Sequence, residues 1–140
     1  MKKTVLSIFL PVLLLGAASL SSAADTAIQI TDIKMAQGID EKYMPLEPSK
    51  NFPDGTAKVF CWFEWKGAQA NESLTAKWTY VTENIPILEC PLPIPRKQGS
   101  GGIALSMPQG KTLPAGLYEV ELLFDKKILK SLKFEIRAKK

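Results

Sequence analysis

The ten residues Thr56–Trp65, which read TAKVFCWFEW, predict the clearest β-strand of the chain. Successive side chains of a strand point to opposite faces, so every second residue from Ala57 onward, Cys61 among them, lies on one wholly apolar face. The other face carries two charged residues together with Phe60 and Trp62. The charges indicate that the apolar face is the core face, and they place Phe60 and Trp62 on the less buried side.

Short strand patterns separated by turns continue on both sides of this segment. A change of phase near Asp32 indicates a β-bulge, and prolines confine the strand that ends at Leu92 to a sheet edge. Lys97–Gly102 is predicted to be a glycine-rich loop. Seven short strands with frequent turns are typical of a β-sandwich. Besides Thr56–Trp65 they are Ala27–Met35, Leu74–Val81, Ile85–Leu92, Ile103–Met107, Leu117–Phe124 and Ile128–Arg137.

A long segment without strand pattern, residues 36–55, separates the first two strands and contains two glycines and three prolines. Long loops on a rigid scaffold often carry binding. The candidate binding surface therefore consists of Tyr43, Met44 and Leu46 from this segment, with Phe60 and Trp62 from the neighbouring strand. The two strand aromatics have two interpretations. They either stack on a sugar ring or dock a partner, or they are covered by the 36–55 segment, which is the interpretation we favour.

The first 24 residues have the order of a secretory signal peptide. Lys2 and Lys3 are followed by an apolar run over Val5–Leu15 and then by small residues up to Ala24. The run is shorter than the roughly 20 residues that a membrane-spanning helix needs. We therefore expect cleavage after Ala23 or Ala24, a mature domain of residues 25–140 without a membrane span, and a periplasmic or secreted location.

Composition excludes several classes of function. The chain has 18 basic and 14 acidic residues, and two of the basic ones, Lys2 and Lys3, lie in the signal peptide, so the mature charge is close to neutral. This balance gives no support to nucleic-acid binding. The chain has no histidine, which excludes Ser-His-Asp and Cys-His catalysis as well as imidazole-bound metal. No cofactor is expected.

Two cysteines, Cys61 and Cys90, remain in the mature chain. An even pair in an exported protein predicts a structural disulfide. The alternative is a redox or metal pair, but the spacing is not C-x-x-C and no histidine is present as a further ligand.

A set of short motifs runs through most of the chain. They are Phe52-Pro53-x-Gly55, Val59-x-x-Trp62, Leu74-Thr75-Ala76-Lys77-Trp78-x-Tyr80, Leu113-Pro114-Ala115-Gly116-x-Tyr118-x-Val120, Leu129 and Phe134-x-Ile136. Together these motifs resemble uncharacterised bacterial extracytoplasmic domains that have an immunoglobulin-like β-sandwich. The resemblance covers roughly residues 27–137 and implies a fold and a compartment, without an activity or catalytic residues. The family frame does not include the two cysteines.

Two aromatic residues are expected to have structural roles within such a sandwich. Trp78 resembles the buried tryptophan of immunoglobulin domains, and Tyr118 occupies the position of a tyrosine corner. Glu119 and Glu121 share a face, but carboxylates on an exposed strand more often lie opposite lysines than perform hydrolysis.

The sequence as a whole predicts an exported, monomeric, non-catalytic binding or accessory domain. The expected partner is a protein of the bacterial envelope. The alternative is a glycan or other small ligand bound by Phe60 and Trp62, and the exposure of Trp62 distinguishes the two.

Overall fold

The computed structural model describes residues 28–69 and 72–139, which form two β-sheets and a small hairpin. The predicted signal peptide, residues 1–24, and its cleavage site lie outside the described residues. In chain order the strands are β1 (Gln29–Ala36), β2 (Gly38–Ile39), β3 (Pro45–Leu46), β4 (Asn51–Phe52), β5 (Lys58–Lys66), β6 (Ser73–Tyr80), β7 (Ile85–Pro93), β8 (Gly99–Ser106), β9 (Gly116–Phe124) and β10 (Lys127–Ile136).

The two sheets differ in width. The smaller one has the order β1-β5-β8, and the larger one has the order β4-β10-β9-β6-β7. All neighbours are antiparallel except β4, which runs parallel to β10. Strands β2 and β3 pair only with each other. Among the described residues no helix is both long and apolar enough to cross a membrane.

This architecture confirms the predicted all-β sandwich, and each predicted strand is present within a few residues of its predicted bounds. The register shift between Ile30 and Asp32 in β1 confirms the predicted bulge. The prolines of β7 lie in an edge strand, as expected. Asp125 and Lys126 have φ angles of 51° and 70° and connect β9 to β10, which is the left-handed backbone of a tight hairpin turn that matches the strand twist.

The prediction of a loop over Lys97–Gly102 was wrong, because β8 begins at Gly99. The glycines are explained by packing on both faces of the strand. A Cβ atom on Gly99 would lie 3.2 Å from the Trp65 ring, and one on Gly102 would lie 2.0 Å from Cδ1 of Ile39. These residues are therefore extended strand in which a larger side chain would require Trp65 or Ile39 to move.

The core lies between the sheets and is dominated by aromatic residues at one end. Trp78 is fully buried and meets the Phe134 ring edge-on, with centroids 6.1 Å apart. The Tyr118 ring stacks on the same Phe134 ring, with centroids 5.1 Å apart. The expected core role of Trp78 is confirmed.

Tyr118 also forms the predicted tyrosine corner. Its hydroxyl donates to the carbonyl of Pro114 over 2.5 Å, and the neighbouring Tyr80 hydroxyl donates to the carbonyl of Ala115. Burial, with a smaller contribution from Tyr80, raises the pKa of Tyr118 to about 12. The two hydroxyls hold the turn before β9 against the body of the sandwich.

The predicted Cys61–Cys90 disulfide is not formed, and both cysteines are free. Cys61 lies on the middle strand of the smaller sheet and packs in the same cluster as Trp78. Cys90 lies on the edge strand β7 of the larger sheet and packs against a different cluster, around Leu74 and Leu122. The number of cysteines and the expected compartment carry no information about this separation. Burial raises the pKa of the Cys61 thiol to about 12.

Candidate interaction surface

The segment that follows β1 folds back as a hairpin, which we define as Gly38–Leu46. Its tip is organised by Asp40, whose carboxylate accepts hydrogen bonds from the N–H groups of Lys42 at 2.8 Å and Met44 at 3.0 Å. The Asp40 N–H donates to the Met44 carbonyl at 3.0 Å, and Tyr43 adopts a left-handed φ of 60°. A short acidic side chain that bonds nearby backbone N–H groups is the usual device for holding a tight loop, so the tip has a defined shape.

The hairpin lies on the outer face of the smaller sheet and is fixed there by Trp62. The indole N–H of Trp62 donates to the Tyr43 carbonyl at 2.6 Å, and the Ser100 hydroxyl donates to the same carbonyl at 3.2 Å. Ile39 lies over Gly102. Nζ of Lys34 is 5.7 Å from the centroid of the Trp62 ring, within the range of a cation–π contact.

Trp62 is therefore covered, with an exposed fraction of 2%. This confirms the favoured interpretation, and it removes Trp62 from the candidate binding surface. Phe60 is half-buried, and Nζ of Lys58 lies 5.7 Å from its ring centroid. The alternation of side chains along β5 correctly placed Phe60 and Trp62 on the outer face. It could not show that the hairpin returns over Trp62.

The apolar side chains of the hairpin itself point to solvent. Tyr43, Met44 and Leu46 are 61%, 48% and 46% exposed. That this segment supplies a binding surface stays a prediction. Large apolar side chains that cluster on a surface cost solubility, and such clusters mark interaction sites more often than single exposed residues do.

A second surface feature lies next to the hairpin. A cleft of about 430 Å³ runs beside β8, between the hairpin tip and the segment that follows β7. Its charged lining residues are Lys42 and Arg96.

Strand β8, which borders the cleft, could have been predicted from the sequence. The alternation of Ile103 and Leu105 continues backward through the glycines, and glycine lowers strand preference without forbidding a strand.

The two carboxylates considered for catalysis lie in ordinary cross-strand positions. Glu119 is opposite Lys133 on β10 and Thr79 on β6, and Glu121 is opposite Lys77 on β6. Over the described ranges, 28–69 and 72–139, no group of three or more candidate metal ligands is present.

Comparison with known proteins finds the fold and no family. No protein-family model and no curated protein matches this chain. An immunoglobulin-like protein from Pseudomonas aeruginosa is similar with a TM-score of 0.56 and 12% identity, over 81% of this chain and 99% of that one. The chain thus has the fold of immunoglobulin-like β-sandwich proteins.

Two further solved structures are similar at low identity. One is an alkylpurine DNA glycosylase from Pseudomonas fluorescens bound to DNA with an abasic site analog, with a TM-score of 0.52 and 13% identity, over 82% of this chain and 32% of that one. The other is a Niemann-Pick type C2 protein from the Japanese carpenter ant, with a TM-score of 0.42 and 12% identity, over 85% and 98% of the two chains. At these identities the likeness concerns the fold alone.

Proposed function

We propose that this protein is an exported, non-catalytic interaction domain whose hairpin Gly38–Leu46 binds another protein of the bacterial envelope. The observation that carries the proposal is the contrast within the hairpin. Its backbone is fixed to the sandwich through Trp62 and held in shape by Asp40 within the hairpin, while three large apolar side chains are exposed. A preformed loop loses little conformational entropy on binding, so its apolar contacts translate more fully into affinity.

A protein partner is favoured over a glycan by the burial of Trp62. Stacking on a sugar requires an accessible flat ring, and Trp62 is 2% exposed while Phe60 is half-buried. Tyr43, Met44 and Leu46 are instead exposed aromatic and aliphatic side chains of one hairpin. Aromatic residues and methionine are enriched at protein–protein interfaces, and central anchors of this kind contribute on the order of 1–3 kcal/mol each.

Export and the lack of catalysis rest on the sequence. Residues 1–24 have the charge–apolar–small order of a signal peptide. The chain has no histidine, and its paired glutamates are explained by strand register. An envelope location brings the domain to partners in the same compartment.

Site-specific photo-crosslinking tests the proposal. A photoreactive phenylalanine analogue replaces Met44 in the native host, and the matched control carries it at Ile128, which is 52% exposed on the β9–β10 hairpin. We expect one discrete adduct from position 44, and loss of that adduct when Tyr43 is also changed to Ala.

Folding is checked in the same variants. Tyr43→Ala and Met44→Ala together should change the free energy of unfolding by less than about 1 kcal/mol, because both side chains are exposed. Adducts of equal yield and identity from positions 44 and 128 would contradict the proposal, as would finding the mature protein only in the cytoplasm.

A further inference from the structure

The smaller sheet ends in a strand whose own sequence and pairing carry none of the usual protections of a sheet edge. Strand β8 pairs only with β5 among the described strands. Natural edge strands are blunted by prolines, charges, bulges or shortness. Over Gly99–Ser106, β8 has neither a proline nor a charge, and its pairing with β5 has no register shift.

The other edges in the described part of the chain are all protected. Strand β7 contains three prolines, β1 has a bulge and two charged residues, and β4 is two residues long. An unprotected strand beside three protected ones indicates an edge that accepts another strand, since the same exposure would otherwise promote aggregation.

The backbone groups at this edge can be assigned from the ladder. The N–H of Met107 donates to the Ala57 carbonyl at 3.3 Å, one step beyond the paired residues. Hydrogen-bonded and non-bonded pairs alternate in antiparallel ladders. The N–H and C=O groups of Ser100, Gly102 and Ala104 therefore face away from β5, toward a strand that would add at the edge.

The cleft beside β8 gives this edge two walls. Tyr43 and Lys42 of the hairpin form one wall, and Leu92–Arg96 form the other. Trp65 lies behind the glycines, with its indole N–H bonded to the Arg96 carbonyl at 2.9 Å. An extended segment in the cleft would pair with β8 and alternate its side chains between the apolar lining and the rim.

The charges at the rim have one sign. Lys42 and Arg96 are both exposed and are the charged residues of the cleft lining. The neighbouring carboxylate on β5, Glu64, accepts a hydrogen bond from the Thr31 hydroxyl of β1 at 3.3 Å, so it is oriented toward the opposite strand. A partner segment with acidic residues is favoured electrostatically, and a second copy of β8 would bring the same cations together.

We propose that β8 binds an extended segment of the partner protein, with alternating apolar and acidic residues, by adding it as a fourth strand to the smaller sheet. This inference rests on the proposed function and names the chemistry of the partner. The backbone pairing supplies a binding mode that tolerates sequence variation, and the cationic rim supplies the selectivity.

The probe is a fluorescent, end-capped ten-residue peptide of alternating Val and Glu, and the control peptide has Lys in place of Glu. We expect saturable binding of the first peptide by anisotropy, with at least tenfold weaker binding of the second. Hydrogen exchange should slow at the amides of Ser100, Gly102 and Ala104 when the peptide binds. Equal affinity for the two peptides, or unchanged exchange at these amides, would overturn the proposal.

Ala104→Pro removes an edge N–H without removing a bond to β5, and it should weaken peptide binding about tenfold or more. Glu89→Pro is the matched control, because it alters β7, the edge strand of the larger sheet. Glu89 is in the same register as Pro91 and Pro93, so its N–H also faces away from β6. This substitution should leave peptide binding unchanged. Unchanged binding by folded Ala104→Pro would refute strand addition.

A charge variant keeps the proposal testable if Ala104→Pro does not fold. Lys42→Gln with Arg96→Gln changes only exposed side chains, and we expect about fivefold weaker binding of the acidic peptide with a reduced dependence on salt. The control, Lys126→Gln with Lys130→Gln, has the same net charge and should bind like the unaltered protein. Equal weakening in both variants would refute a local role of the rim.

Three outcomes separate this inference from the proposed function. A concentration-dependent dimer in sedimentation that Ala104→Pro abolishes would show that a second copy occupies the edge, and the inference would fail. If Met44 crosslinks its partner equally well in the Ala104→Pro background, strand addition fails while the hairpin contact stands. If the analogue at position 44 forms no adduct, with or without Ala104→Pro, the proposed function itself fails.

Discussion

The docking of the hairpin depends on Trp62, and Trp62→Phe isolates that contribution. The substitution keeps an aromatic ring and removes the indole N–H that donates to the Tyr43 carbonyl at 2.6 Å. A buried hydrogen bond contributes about 0.5–1.5 kcal/mol net. The carbonyl retains the Ser100 hydroxyl as a donor, so the cost of leaving it without a partner is avoided.

The smaller ring also buries less apolar area. It lacks about two carbons of the indole, which is about 1.5 kcal/mol at roughly 0.8 kcal/mol for each buried carbon. Together the two effects lower the free energy of unfolding by about 2–3 kcal/mol, which corresponds to a fall in Tm of about 10 °C for a domain of this size. The loss should be concentrated in the hairpin, because that is what the bond holds.

Urea unfolding and hydrogen exchange measure these two quantities. The Asp40 and Met44 amides, both hydrogen-bonded within the hairpin, should exchange faster in Trp62→Phe, while amides of β9 keep their relative protection. Phe60→Leu is the matched control, because Phe60 is on the same face and half-buried. It should leave hairpin exchange unchanged. Unaltered stability and exchange in Trp62→Phe would refute the assigned role of the indole.

Three other predictions concern packing and titration. Gly102→Ala should destabilise the protein by about 1 kcal/mol or less, because its Cβ would lie 2.0 Å from Cδ1 of Ile39, which is the flexible end of a half-buried side chain and can rotate away, and Ile39→Ala in the same chain should recover most of that loss in a double-mutant cycle. Burial raises the pKa of Tyr118 to about 12, above its unfolded value near 10. The stability that Tyr118 contributes is therefore complete below about pH 10 and falls as the pH rises toward about 12. Tyr118→Phe should remove this pH dependence of the free energy of unfolding, measured in urea titrations. Burial raises the pKa of Cys61 to about 12, so a thiol reagent at pH 8 should label Cys90 in the folded protein and label Cys61 only after unfolding, whereas a disulfide-bonded sample would yield neither thiol before reduction.

The strands could be predicted from the sequence because a half-buried strand must alternate. The pattern of Thr56–Trp65 places Cys61 on the core face and Trp62 on the outer face, and both assignments are confirmed. The prolines of β7 and the bulge near Asp32 are local features that the backbone expresses wherever the strand lies. The tyrosine corner at Tyr118 depends on a short range of sequence, and it too was predicted.

The tertiary structure alone decided which surfaces meet. Burial of Trp62 requires a hairpin some twenty residues earlier to return over it, and the bond from its indole joins residues 19 apart in sequence. Gly99 and Gly102, which were predicted to lie in a loop, lie in strand β8. Trp65 and Ile39 pack where larger side chains at these two positions would lie. The cysteines remain apart because Cys61 packs in the cluster around Trp78, whereas Cys90 packs against the cluster around Leu74 and Leu122. Alternation specifies the face of a residue within its own strand, whereas contacts between strands depend on how two sheets of unequal width are stacked, and no local pattern contains that information.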